Sequence, residues 1–249
     1  SINVRGDKSL SIRWVLFASL ADGVSKAQNL LLSEDVLATI RVLKKLGIKS
    51  STKNNICKIH GKGINGFEYK KNITLNAENS GTLGRLILGL LINTPHPIKL
   101  TGDKSLSKRD FRRISDPLSK FGATFQLNKN KGLPLTILGS KELKPIHYYE
   151  KRGSAQCKSA VIFGGMRTGG KTLIKAKKSR NHTELLCKYL KLPLKVKKKK
   201  NHDLIEVKKV TEIKPLNYKI PSDISSAAFF IVLTALSSNS KLLIKNVNI

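Results

Sequence analysis

Four times along this chain a short run of small polar residues leads straight into an apolar helix, and the openings begin about 70 residues apart. They are Lys8-Ser9-Leu10-Ser11 before 14–20, Asn79-Ser80-Gly81-Thr82 before 86–92, Gly153-Ser154-Ala155-Gln156 before 160–163, and Asp223-Ile224-Ser225-Ser226 before 228–236. Behind each helix a Lys-rich apolar strand is predicted, over 26–31, 98–101, 172–176 and 242–247. The first three strands lead into a second helix, over 35–46, 111–121 and 183–190. The first two of these close on Leu46-Gly47 and Phe121-Gly122, the glycine stop that a helix end favours. Hairpins follow, with turns at Lys53-Asn54-Asn55, Asn128-Lys129-Asn130 and 198–202. The unit is therefore helix, strand, helix, two-stranded hairpin. Three copies are complete and the fourth stops at Ile249 within its strand. A unit that buries its sheet only against neighbours is not expected to end there, so a longer protein is expected on the carboxyl side. The absence of an initiator Met hints at the same on the amino side.

Composition narrows the class. With 249 residues and 40% hydrophobic content the chain can build one large domain, or one domain and part of another. No apolar run approaches the roughly 18–20 residues of a membrane span. The longest, 86–92 and 227–236, are expected to be buried helices. The opening Ser1-Ile2-Asn3-Val4 is strand-like and lacks a charged-then-apolar leader. Cys57, Cys157 and Cys187 are odd in number, far apart and free of any CxxC spacing. Free, mostly buried thiols in a reducing cytoplasm are the expectation. His60, His96, His147, His182 and His202 show no ligand spacing, so no metal is expected and surface or capping roles are. The net charge of +31 fits a nucleic-acid binder, a collector of small anions, or solvated lysine faces such as Lys197–Lys200. Aromatics make up only 6%, and no basic run is interleaved with Phe or Tyr to stack bases. A nucleic-acid partner is therefore not expected.

The four openings carry the chemistry. The first turn of a helix presents unsatisfied N–H groups and partial positive charge, which favour phosphate or carboxylate. Hydroxyls add donors, and glycine admits a ligand close to the backbone. The plain alternative is that Ser, Thr, Asn and Asp simply cap helices. Lys8 and Arg13 flank the first opening, Arg85 follows the second and Lys158 the third. If the units pack around one centre, these starts can converge on a polyanionic ligand.

The motifs themselves resemble one family. Gly6-Asp7-Lys8-Ser9-Leu10-Ser11-Ile12-Arg13 is similar to the GDKSxSxR signature of the 5-enolpyruvylshikimate 3-phosphate synthases, and Asn79-Ser80-Gly81-Thr82-Leu83-Gly84-Arg85 to their NSGTxxR segment. Ser107-Lys108-Arg109, Gly153-Ser154-Ala155-Gln156-Cys157-Lys158-Ser159-Ala160, Ser179-Arg180-Asn181-His182-Thr183-Glu184 and Ile220-Pro221-Ser222-Asp223-Ile224-Ser225-Ser226-Ala227 resemble further family blocks, in the family's order. The resemblance implies an α/β fold of two similar domains, each an inside-out α/β barrel of three helix-strand-helix-hairpin units, with substrates in the cleft between them. The first domain would span 6–217, while 1–5 and 218–249 would belong to a second, mostly missing domain. It also implies a cytoplasmic enzyme without metal or organic cofactor, not membrane-bound, and a monomer when full length.

The implied reaction moves the carboxyvinyl group of phosphoenolpyruvate to the 5-hydroxyl of shikimate 3-phosphate by addition and elimination of phosphate, on the path to chorismate and aromatic amino acids. Carried over position by position, Lys8 is implied to touch both substrates, while Ser9 and Arg13 hold the shikimate moiety, Arg13 through its carboxylate. Ser154, Ala155, Gln156, Ser179 and Arg180 would line the phosphate end of shikimate 3-phosphate. Asn79, Gly81, Arg109 and Gln156 would face phosphoenolpyruvate, and Asp223 would accept the hydroxyl proton. Arg85 reads as a structural ion-pair partner as readily as a ligand. The chain departs from the family pattern at Trp14, Glu78, Asp110 and Ser222, where small residues, glycine, proline and glycine are usual. On this reading the piece by itself is expected to be inactive. The rival readings are a basic nucleic-acid-binding protein without catalysis and the enolpyruvyl transferase acting on UDP-N-acetylglucosamine. The latter wants Lys-Asn near the start, and here Lys8 is followed by Ser9.

Overall fold

The repeat of the sequence is a repeat of the fold. The computed structural model describes residues 1–247. The first unit contains α1 (Lys8–Ser19), β2 (Asp22–Gln28), α2 (Glu34–Lys45) and the hairpin β3 (Lys49–Lys53) and β4 (Ile56–Lys62), preceded by the short β1 (Ile2–Asn3). The second contains β5 (Thr74–Asn76), α3 (Gly81–Leu90), β6 (Ile98–Thr101), a single turn α4 (Lys104–Ser107), α5 (Arg112–Ser119), and the hairpin β7 (Thr124–Leu127) and β8 (Leu135–Leu138). The third contains β9 (His147–Glu150), α6 (Ala155–Gly165), β10 (Thr172–Lys177), α7 (His182–Tyr189), and the hairpin β11 (Leu194–Lys198) and β12 (His202–Val207). Then come β13 (Asn217–Lys219), α8 (Ile224–Leu236) and β14 (Ile244–Lys245).

Each unit forms one four-stranded sheet of the same pattern, in orders β13-β2-β4-β3, β5-β6-β8-β7 and β9-β10-β12-β11. The hairpin pairs antiparallel with the long strand, and a short strand closes the other edge in parallel. In the second and third units that short strand directly precedes the inner helix, which makes a βαβ crossover. The first unit differs. Its edge strand is β13, supplied by the far end of the chain, whereas β1 pairs with β14. The two passages that make this exchange run side by side: Asp7 N–H donates to Pro221 O at 2.8 Å and Asp223 N–H to Arg5 O at 2.9 Å.

Burial follows from these patterns. The helices that open each unit, α1, α3 and α6, are apolar almost all round and lie inside. The later helices α2, α5 and α7 are amphipathic and show one face to water. Strands such as β10 alternate buried and exposed residues, so each sheet covers the helices with one face. Phe17 of α1 meets Phe163 of α6 with ring centroids 5.0 Å apart, one of the contacts that ties units together. Gly47 and Gly122 end α2 and α5 at φ +84° and +116°, where a Cβ is disfavoured.

Three expectations need correction. The first strand runs over Asp22–Gln28 rather than 26–31, because Asn29 turns left-handed at φ 58° and ends the pairing. The short edge strands at 74–76, 147–150 and 217–219 were not predicted, since three or four residues carry no readable period. The helix at 227–236 forms but is not buried: Phe229 and Leu236 are 80% and 81% exposed, and only Ala227 of α8 is fully packed. All three cysteines are free and buried. Among the described residues no helix is long and apolar enough to cross a membrane.

Candidate functional site

The starts of the inner helices are joined by side chains and backbone groups that reach from one to the next. Each start is capped as its sequence demands. Asp7 accepts from Leu10 N–H at 2.6 Å, Ser80 from Leu83 N–H at 3.3 Å, Ser154 from Cys157 N–H at 3.2 Å and Asp223 from Ser225 N–H at 2.8 Å. Capping and ligand binding are thus compatible here, because each cap uses one donor and leaves the other first-turn N–H groups free of helix bonds.

Around α1, the exposed Lys8 ammonium lies 3.4 Å from Asp35 at the start of α2, and the Lys8 N–H points to the Asp223 carboxylate at 3.5 Å. Lys8 and Asp223, far apart in sequence, are therefore neighbours. Arg13 is 1% exposed. It gives Nε to Thr183 Oγ1 at 2.8 Å, Nη2 to Ser159 Oγ at 3.1 Å, and Nη1 to the carbonyl and hydroxyl of Ser9 at 3.0 and 2.5 Å. Burial brings its pKa down to about 10, partly offset by Glu184 and Asp7, so it remains a cation at neutral pH.

Around α3 and α6, Arg85 donates to Gln156 Oε1 at 2.7 Å and to Gly81 O at 3.1 Å, and Gln156 Nε2 donates to Thr82 Oγ1 at 3.0 Å. Arg85 stacks 5.5 Å from the Phe111 ring centroid. It is thus neither an ion-pair member nor solvated; it fixes Gln156. A Cβ on Gly81 would come within 2.8 Å of Arg85 Nη1 and 2.9 Å of Arg109 Nη1, so only glycine leaves both guanidinium groups in place. Asn79, Arg109 and Arg180 are exposed, and Ser154, Ala155, Gln156 and Ser179 are half-buried. The Ser179 Oγ is buried without a protein partner.

Behind these side chains, Lys158 of α6 and Glu184 of α7 form an ion pair at 2.6 Å, 0% and 7% exposed. Thr82, Thr183 and Ser159 also belong to the constellation, from within the motif blocks but with no role implied there, and Asp35 belongs to it from outside them. Asp35 was hidden because Ser33-Glu34-Asp35 reads as an ordinary acidic first turn. The helix starts form an open face. Two concavities, of about 710 and 660 Å³, lie elsewhere, on the outer face of the third sheet and beside the end of α7. Among the described residues no group of three His, Cys, Asp or Glu is placed to hold a metal.

Three of the four departures from the family pattern are absorbed by local hydrogen bonds. Asp110 chelates Arg112 with both oxygens, at 3.1 and 2.7 Å, and that pairing holds its carboxyl below the ordinary range. Its charge is therefore paired with Arg112. Glu78 takes the left-handed φ of 53° and is gripped by Arg41 at 2.9 and 2.7 Å. Ser222 gives its hydroxyl to Val4 O at 2.7 Å, at the crossing of the two passages. Trp14 is fully buried in α1.

The chain matches the family model described as EPSP synthase (3-phosphoshikimate 1-carboxyvinyltransferase) over residues 1–249. It is 44% identical over 248 residues to the 3-phosphoshikimate 1-carboxyvinyltransferase of Caldicellulosiruptor bescii, covering 99% of this chain and 57% of that protein. To the protein of the same name from Streptococcus mutans it is 40% identical over 251 residues, covering 100% and 58%. A solved structure of EPSP synthase from Acinetobacter baumannii superposes with a TM-score of 0.90 at 34% identity, covering 100% of this chain and 55% of that one. The chain thus spans a little over half the length of these relatives. A match that takes in all of the chain, in sequence and in backbone alike, places it in the EPSP synthase family.

Proposed function

We propose that this chain supplies one wall of an enolpyruvyl-transfer site, with the activity residing in the protein at the length of its relatives. The reaction is transfer of the carboxyvinyl group of phosphoenolpyruvate to the 5-hydroxyl of shikimate 3-phosphate, with release of phosphate. The observation that supports this reading is that separated motif blocks meet through their side chains: Lys8 N–H lies 3.5 Å from Asp223, Arg13 of α1 reaches Ser159 of α6, and Gly81, Arg85, Arg109 and Gln156 adjoin at the starts of α3 and α6.

Shikimate 3-phosphate lies across the starts of α1 and α6. Its phosphate meets Ser154, Ala155, Gln156, Ser179 and Arg180, where the unpartnered Ser179 hydroxyl is a ready donor. Its carboxylate takes Ser9 and Arg13. Arg13 reaches it by exchanging the Nη1 bonds to Ser9 while Thr183 and Ser159 keep Nε and Nη2 anchored. Phosphoenolpyruvate lies beside α3, against Asn79, Gly81, Gln156 and Arg109, with Lys8 between the two anions. Asp223 takes the proton of the 5-hydroxyl as its oxygen bonds to the enol carbon, and the methylene carbon gains a proton. Loss of a proton from the new methyl group then expels phosphate and restores the double bond. The division is into a first domain over 6–217 and a second represented by 1–5 and 218–249; the pairing of β1 with β14 supports it, while β13 carries 218 and 219 into the first sheet. The buried thiols suit the cytoplasm, and the reading needs no second subunit.

The test is phosphate release from phosphoenolpyruvate, dependent on shikimate 3-phosphate, by the protein extended to the length of its relatives. Asp223→Asn keeps a capping side chain on α8. It is expected to lower turnover at least about 100-fold while changing affinity for shikimate 3-phosphate less than about threefold. Near-normal turnover would remove Asp223 from the mechanism.

A further inference from the structure

His182 opens α7 and is half-buried among charges, with no part in the reaction scheme above. Its side chain is 16% exposed, and Nδ1 lies 3.9 Å from Asp7 Oδ1, the oxygen side that caps α1. Nδ1 is shielded from water and has no hydrogen-bond partner. Four charged groups bear on the ring: Asp7 before α1, Arg13 within it, Arg180 before α7, and Asp223 before α8. Glu184, two residues along α7, is turned to Lys158. Burial pushes the imidazole pKa below its usual value, Asp7 pulls it up, Arg13 and Arg180 press it down, and Asp223 pulls it up; the net is downward. The free site therefore holds a neutral ring beside a carboxylate that it does not quite reach.

We propose that His182 is a positioning residue that links ligand charge to the start of α1: an anion held by Arg13 and Arg180 leads the ring to take up a proton from solvent and donate Nδ1–H to Asp7. The electrostatics run in that direction because the two arginines are the cations that oppose a charge on the ring, and a phosphate or carboxylate bound to them cancels their field. A doubly protonated imidazole has N–H donors on both nitrogens, so Nδ1 becomes a donor whichever nitrogen held the first proton. A hydrogen bond needs about 2.9 Å, so α7 and the Asp7 cap close by roughly 1 Å. Asp7 precedes Lys8 and Ser9, and its own N–H is bonded to Pro221, two residues before Asp223. The contact thus ties the residues proposed to hold both substrates to those proposed to take the proton.

This inference rests on the substrate reading above, and one experiment separates the two. The histidine Cε1–H resonances of the chain are titrated with pH, without and with saturating shikimate 3-phosphate, and His182 is assigned by the signal lost in His182→Gln. Should that variant fail to fold, loss of the other four signals in turn, at His60, His96, His147 and His202, assigns it by elimination. The midpoint of His182 is expected below 6.5 in the free chain and at least about one pH unit higher with ligand, a tenfold gain in proton affinity. In His182→Gln, the affinity for shikimate 3-phosphate should lose the pH dependence that follows this midpoint. A ligand that shifts other resonances saturably while the His182 midpoint stays put would overturn the proposal and leave the substrate reading standing. If no resonance responds to the ligand, the substrate reading fails and this inference with it.

Discussion

Asp110 stands directly after an arginine proposed to hold phosphate, yet its two oxygens are committed to Arg112, and Glu78 adopts a left-handed backbone under the grip of Arg41. Both acidic misfits are thus answered by a nearby arginine, which is how the site tolerates that sequence drift. His182 leaves a measurable trace of the same charge balance in stability. Its native pKa lies below the ordinary value of about 6.5 that holds in the unfolded chain. Well above pH 6.5 both states carry a neutral ring and stability is indifferent to this group. As pH falls through 6.5 the unfolded chain takes up the proton first, so unfolding becomes easier until the native pKa is passed. Urea unfolding at pH 7.5, 6.5 and 5.5 is expected to show that loss, and His182→Gln to flatten this share of it. A loss of equal size in the variant would assign it to other groups. The roles of Lys8, Gly81 and Gln156 could be approached from their motif strings. The contacts that hold them could not: Thr82 and Thr183 lie inside motif strings that assign them no role, Asp35 sits in an ordinary acidic first turn, and only the fold shows what each one touches.

Elements were legible where they are long or end on a distinctive residue. The glycine stops of α2 and α5 are examples, and so is the Asn54-Asn55 turn, whose residues sit at φ 51° and 59° between β3 and β4. The third copy of the second helix shows the rule by its breach. After α7 the chain turns on Lys191 at φ 53°, where its two counterparts use glycine. A left-handed lysine costs roughly 1–2 kcal/mol, less the entropy a glycine would lose on folding. Lys191→Gly is therefore expected to stabilise the protein by about 0.5–1 kcal/mol in chemical denaturation; a destabilised variant would contradict the conformational argument. Between α6 and α7 the Lys158–Glu184 pair is fully inside, and the sequence hinted only at a cation after a helix start. Lys158→Met leaves Glu184 buried and unpaired, with an expected cost of about 3–5 kcal/mol by thermal or urea unfolding. Lys158→Met with Glu184→Leu should recover a large part of that loss. If the double variant is no more stable than the single one, the pair is not the source of the cost.

For the whole molecule, the period of the sequence predicted three complete like units, and the three sheets share one strand order. What it could not give was the exchange at the ends, in which β13 completes the first sheet while β1 pairs with β14. Such pairings join residues some two hundred positions apart and leave no local signature. Nor could it give the exposure of α8, because its apolar run reads as a core helix in any fold. The helix starts converge through that exchange, since it is the pair of adjacent passages that sets Asp223 beside Lys8. On the proposed reading this convergence makes a surface for a phosphorylated ring acid. Calorimetric titration of the folded chain with shikimate 3-phosphate at about physiological salt, beside unphosphorylated shikimate and inorganic phosphate, tests it. Saturable binding is expected that requires ring and phosphate together and that weakens at least about tenfold in Arg13→Ala. Equal binding of inorganic phosphate, or an affinity that merely falls with salt whatever the ligand, would contradict it and leave a basic surface without a specific site.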